Sequence, residues 1–124
     1  LTESIDLRKL DNSVVLAHSL SGRFSLPVVI EHPERVAGFV AVAPVELPAY
    51  ESKLRKLALP TLIVWGDRDQ VVPLTHGKAL HSWVKDSRLV VLSGARHPCY
   101  EDRPDEFHAA LIEFLRPVAA NRKK

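Results

Sequence analysis

The sequence predicts an α/β protein: a three-layer sandwich in which a parallel sheet carries helices on both faces. Three observations carry that prediction. Four short apolar runs lack polar alternation, as strands buried on both faces do. Segments with apolar residues at helical spacing separate the runs, and Pro, Gly, Asp or Asn bound the elements. The 124 residues fit one domain at most, and 46% of them are apolar, a globular composition rather than a disordered one.

Taken in order, Thr2 to Leu10 sets Ile5 and Leu10 among charged residues, as the last turns of a surface helix do, and Asp11-Asn12 ends it. Ser13 to Ala17 is the first predicted strand. A helix follows over Leu20 to Ile30, kinked at Pro27, which lacks the donor for the bond one turn back. Gly38 to Ala43 and Thr61 to Trp65 are the second and third strands. Between them Tyr50, Leu54 and Leu57 mark a helix over Tyr50 to Leu59, and the segment has no room for a lid domain. After Asp69, a further helix buries Ala79, Leu80, Trp83 and Val84. Arg88 to Leu92 is the last strand. Phe107, Ala110, Leu111, Phe114 and Leu115 then line an amphipathic helix stopped by Pro117. No repeat or low-complexity tract interrupts the alternation. In such a sheet, ligands bind beyond the carboxyl ends of the strands.

Composition narrows the function. With 17 Lys and Arg against 15 Asp and Glu, the net charge is +2, and apart from the tail Arg122, Lys123 and Lys124 no basic stripe offers itself to nucleic acid. No apolar run has bilayer length, and no signal-peptide pattern opens the chain, so no membrane partner is expected. The lone Cys99 cannot form an internal disulfide, and a reducing, cytoplasmic setting is the expectation. Metal-ligand spacings such as C-x-x-C are lacking, which points to metal-free chemistry without a bound cofactor. The chain begins at Leu1 and contains no Met, so it is expected to continue upstream.

The chemistry centres on Ala17-His18-Ser19-Leu20-Ser21-Gly22, where a predicted strand turns into a helix. A serine on such a sharp turn forms a nucleophile elbow when the residues two before and two after it are small. Ala17 and Ser21 meet that need, although a serine here also suits an ordinary helix cap. A hydroxyl becomes a useful nucleophile only beside a base that a third group holds in one tautomer. His97 follows the strand Arg88 to Leu92, and Asp67 and Asp69 follow Thr61 to Trp65, so all lie at strand carboxyl ends. The order Ser, Asp, His is that of one known class of serine triad. Of the two aspartates, Asp69 lies farther along its loop and can reach towards His97, while Asp67 suits bracing the turn. The backbone N–H of Leu20 is the candidate oxyanion donor. His18 either lines the pocket or packs on the strand, and His32, His76, His81 and His108 are expected at the surface.

These motifs resemble a known family. Ser19-Leu20-Ser21-Gly22 with Ser25-Leu26-Pro27, Gly38-Phe39-Val40 with Val42-Ala43-Pro44, and His97-Pro98-Cys99-Tyr100 with Asp102 and Pro104 are similar to the α/β-hydrolase domain-containing protein 14 family, also called CIB-type hydrolases. The resemblance runs along nearly the whole chain but only to the C-terminal half of such a domain, its last four parallel strands, so residues 1–124 are expected to need an N-terminal half as partner. Ala17 and His18 depart from the family's Ser-x-Ser-x-Ser elbow. The resemblance implies Ser19, Asp69 and His97 as a catalytic triad cleaving short acyl esters or amides. Acetylated lysine is one substrate it implies, with acyl transfer to coenzyme A a narrower activity. Cys99 reads as packing. A competing reading is a non-catalytic module that binds a partner through the exposed edge of the strand Ser13 to Ala17.

Overall fold

A computed structural model describes residues 13–122, and the helix expected over Thr2 to Leu10 lies outside the described residues. Four parallel strands, β1 (Ser13–His18), β2 (Val36–Val42), β3 (Thr61–Gly66) and β4 (Ser87–Leu92), pair in the order β1-β2-β3-β4. Helix α1 (Gly22–Glu31) joins β1 to β2, α2 (Glu51–Leu54) lies between β2 and β3, and α3 (Leu74–Trp83) joins β3 to β4. The chain closes with α4 (Cys99–Asp102) and α5 (Pro104–Arg122).

Strand side chains alternate between two faces, and both faces here are apolar. Phe39, Ala41, Ile63 and Trp65 bury against Leu26, Val29, Leu80 and Trp83 of α1 and α3. Val40, Val42, Leu62 and Val64 face the other way, towards Phe107, Leu111 and Phe114 of α5. Two packed interfaces around one sheet make the three layers the sequence predicts. The central strand β3 is buried throughout, which is why its run reads as continuously apolar. At the rim β4 is fully buried only at Leu92, and its exposed Arg88 pairs with Glu113 of α5 at 2.9 Å.

Three helix expectations need correction. Pro117 does not stop the last helix, which continues to Arg122. The carbonyl that Pro117 leaves unbonded belongs to exposed Glu113, where water can serve it, and Val118 one residue on is buried and rewards continuing the turn. The helix expected over Tyr50 to Leu59 is a 3-10 turn at Leu47–Tyr50 followed by the single turn of α2. Leu57 and Leu59 reach the core from irregular chain beyond α2, Leu59 at a bend, so their spacing imitates a helix. Likewise the segment after β1 opens as a 3-10 turn, Ser19–Ser21, and Pro27 sits inside α1. The carbonyl Pro27 leaves free is that of exposed Arg23.

Candidate active site

The elbow is built where β1 ends. Ser19 has φ 51°, in the left-handed region that non-glycine residues rarely occupy. Such a conformation costs on the order of 1–3 kcal/mol and persists only where neighbours enforce it. They do so here: the Ser19 N–H donates to the Ala43 carbonyl at 3.2 Å, and the Ser19 carbonyl accepts from the Val45 N–H at 3.1 Å. Ala17 is fully buried beneath the turn. Ser21 contributes more than small size, because its hydroxyl accepts from the His18 N–H at 2.8 Å and donates to the His18 carbonyl at 2.7 Å.

The candidate acid comes from the loop after β3. Asp69 Oδ1 accepts the backbone N–H groups of Val71 and Val72, both at 2.8 Å, and Oδ2 lies 2.7 Å from His97 Nδ1. The Asp69 side chain is fully buried and that of His97 is 15% exposed, so these three bonds compensate a charge that would otherwise be costly to bury. The loop itself is tied down by Trp65, whose indole Nε1–H donates to the Val72 carbonyl at 2.8 Å. Trp65 fits only because α3 presents Gly77 to it: a Cβ there would stand 2.5 Å from the ring.

The loop of the candidate base, after β4, is stitched to the Asp69 loop. Asp67 Oδ1 accepts the Gly94 N–H at 2.7 Å, and the Arg68 N–H donates to the Ala95 carbonyl at 2.9 Å. Gly66 permits this approach, since a Cβ there would overlap the carbonyl oxygens of Ala95 and Arg96. Beyond it, Arg96 is held by Asp102, which accepts from the Arg96 backbone N–H at 2.8 Å and from its guanidinium at 3.0 and 2.8 Å. Those bonds pull the Asp102 carboxyl down to about 2, the Arg96 side chain being the largest cause.

The result joins three strand ends. His97 Nε2 lies 2.8 Å from Ser19 Oγ. Because an ionised carboxylate only accepts, the proton on His97 belongs on Nδ1, which leaves the Nε2 lone pair for the serine hydroxyl. Asp69 makes the contact to His97, while Asp67 braces the turn between the loops. Among the described residues no group of three or more His, Cys, Asp and Glu side chains is placed to hold a metal ion. No described helix is long and apolar enough to cross a membrane.

The sequence profile of the alpha/beta hydrolase fold matches residues 46–104. A crystal structure from Thermoplasma acidophilum, described as a predicted CIB-like hydrolase, superposes with a TM-score of 0.83 at 33% identity, covering 89% of this chain and 53% of that one. The chain has the α/β-hydrolase fold. Among its curated relatives, the Rattus norvegicus protein named "Putative protein-lysine deacylase ABHD14B" is 36% identical over 96% of this chain and 56% of its own length. Protein ABHD14A of Danio rerio is 38% identical over 82% of this chain and 38% of its own. The chain thus spans about half the length, or less, of the curated relatives it matches.

The other residues singled out in the sequence fall as follows. His18, left open between pocket and packing, stacks on His97. Burial lowers its pKa first, the neighbouring His97 lowers it further, and Asp69 raises it. Cys99 is fully buried in the α5-side core, where desolvation pushes its thiol up to about 11. His81 and His108 are exposed, and His32 is partly exposed 3.7 Å from Glu34. His76 corrects the surface expectation: it is half-buried, and its Nδ1 has no hydrogen-bond partner. Gly77 draws that turn of α3 down onto Trp65. The one-turn helix α4 carries no apolar periodicity by which the sequence could have announced it. A cavity of about 700 Å³, lined by Ile30, Pro33, Lys53 and Lys56 among others, contains no residue of the site. Beside His18, a cleft of about 260 Å³ is lined by Leu16, Val42, Tyr100 and Phe107.

Proposed function

We propose that the protein carrying this chain is a serine hydrolase that cleaves short-chain acyl esters or amides through an acyl-serine intermediate. The observation that carries this reading is the unbroken relay from Asp69 through His97 to a serine held at positive φ. In the first step Ser19 Oγ attacks the substrate carbonyl carbon while its proton passes to His97 Nε2. Asp69 stabilises the imidazolium that forms, and the Leu20 N–H donates to the oxyanion. Collapse breaks the bond to the leaving alcohol or amine, which takes the proton from His97. Water then repeats the sequence and releases the acid.

Short acyl groups are favoured because the segment between β2 and β3 holds only a 3-10 turn and one turn of helix, and the apolar cleft beside His18 is small. The name carried by the ABHD14B relatives makes an acylated lysine the leading amide substrate, with coenzyme A as a narrower acyl acceptor that would enter as a substrate. The chain acts as the C-terminal half of one domain, with the N-terminal half supplying the second oxyanion donor. A cytoplasmic location is consistent with a single, buried, free cysteine.

Comparing acetyl and decanoyl esters with the complete protein tests this reading. The acetyl ester is expected to turn over faster, and Ser19→Ala to lower turnover by about 10³-fold or more. Wild-type rates in Ser19→Ala would overturn Ser19 as the nucleophile, and no turnover of either ester by the wild type would favour the binding module.

A further inference from the structure

His97 is fixed within its own plane by two hydrogen bonds, one at each ring nitrogen. Two such bonds leave one motion unopposed, a tilt of the ring about the line joining them. That tilt would swing the Nε2 lone pair off Ser19 Oγ. Something must therefore cover a face of the ring. His18 does so: its imidazole stacks on that of His97 with centroids 5.4 Å apart and planes 24° from parallel. His18 is itself backed by Tyr100, edge-on at 4.9 Å and 84°, and Tyr100 by Phe107 of α5 at 6.0 Å. A ladder of four rings runs from the base of the relay to the last helix.

We propose that His18 is a positioning residue that acts through His97, holding the imidazole plane by stacking, with Tyr100 as its buttress. This deepens the serine-hydrolase reading and rests on it for its catalytic consequence. Two further observations support a role for the ring rather than for Nε2. The His18 Nε2 is buried with no hydrogen-bond partner, so no bond from that nitrogen contributes to the arrangement. Burial also favours the uncharged form of His18, so the imidazolium that forms on His97 during acylation meets a neutral ring. Phenylalanine reproduces the flat ring without the orphaned nitrogen.

The test combines two readouts on the complete protein bearing His18→Phe, His18→Ala or Tyr100→Ala. The first is the low-field proton resonance of His97 Nδ1–H, which reports its bond to Asp69 irrespective of any reaction. The second is the inactivation rate with a fluorophosphonate, resolved into affinity and maximal rate. His18→Phe should keep the resonance and a maximal rate within about 3-fold of wild type. His18→Ala should broaden or lose the resonance and slow the maximal rate by about 10-fold or more, with affinity unchanged. Tyr100→Ala alters a residue at the surface and should give an intermediate loss. A sharp resonance and wild-type rate in His18→Ala would overturn the proposal, as would equal losses in the Phe and Ala variants. Failure of the serine-hydrolase reading looks different: Ser19→Ala would still be labelled, while the His97 resonance would still respond to His18.

Discussion

At the scale of single residues, the relay assigns separate tasks to two aspartates two positions apart. Asp69 meets His97, and Asp67 closes the turn against Gly94. Asp69→Asn should lower turnover by about 10³–10⁴-fold, because an amide can hold the imidazole in the wrong tautomer, whereas Asp67→Asn should cost far less. Steady-state kinetics on the two variants decides the ranking. The strained backbone at Ser19 gives a second expectation. Both Ser19→Gly and Ser19→Ala remove the hydroxyl, but only glycine adopts φ 51° freely. The glycine variant should therefore be the more stable of the two by roughly 1 kcal/mol in denaturant titrations. The order Ser, Asp, His was legible in the sequence because each residue follows an apolar run at a strand end. His18 was not, since its stacking partner is 79 positions away and no local pattern announces a ring contact.

At the scale of elements, the site is a set of loops tied to one another and to the strands behind them. Asp102 of α4 grips the residue immediately before His97 by three bonds. Its folded-state pKa, about 2, lies below the ordinary carboxylate value. The grip is therefore fully present above that ordinary value and is lost as pH falls through the folded value. Hydrogen-exchange protection at the Arg96 and Ala95 amides, taken relative to the intrinsic rate at each pH, should fall across that acid window in wild type, while Asp102→Asn should already be less protected at neutral pH. Acid-insensitive protection would contradict the assignment. The strands were legible because buried parallel strands read as β-branched runs, and Thr61 to Trp65 differs from β3 by a single residue. Helix ends were less so. Pro117 and the Tyr50 to Leu59 spacing both mislead, because whether a proline ends a helix depends on the exposure of one carbonyl and the burial of the next residue.

At the scale of the whole molecule, β1 is one edge of the described sheet, and no described strand pairs with its outer side. Leu16, Leu20 and Phe24 beside it are 44%, 61% and 50% exposed. Single exposed apolar residues are ordinary, but three around one unpaired edge suggest a covered surface. If an N-terminal half covers it in the complete domain, the isolated 124-residue chain should bind the dye ANS and self-associate, and Leu16→Lys with Phe24→Glu should reduce both. The central claim concerns the relay across three strand ends. Its most direct test is to treat the complete protein with a fluorophosphonate and locate the adduct by peptide mass spectrometry. A single adduct on Ser19, lost in Ser19→Ala and strongly slowed in His97→Ala, is the predicted result. An unmodified Ser19, or labelling that survives in Ser19→Ala, would contradict the account.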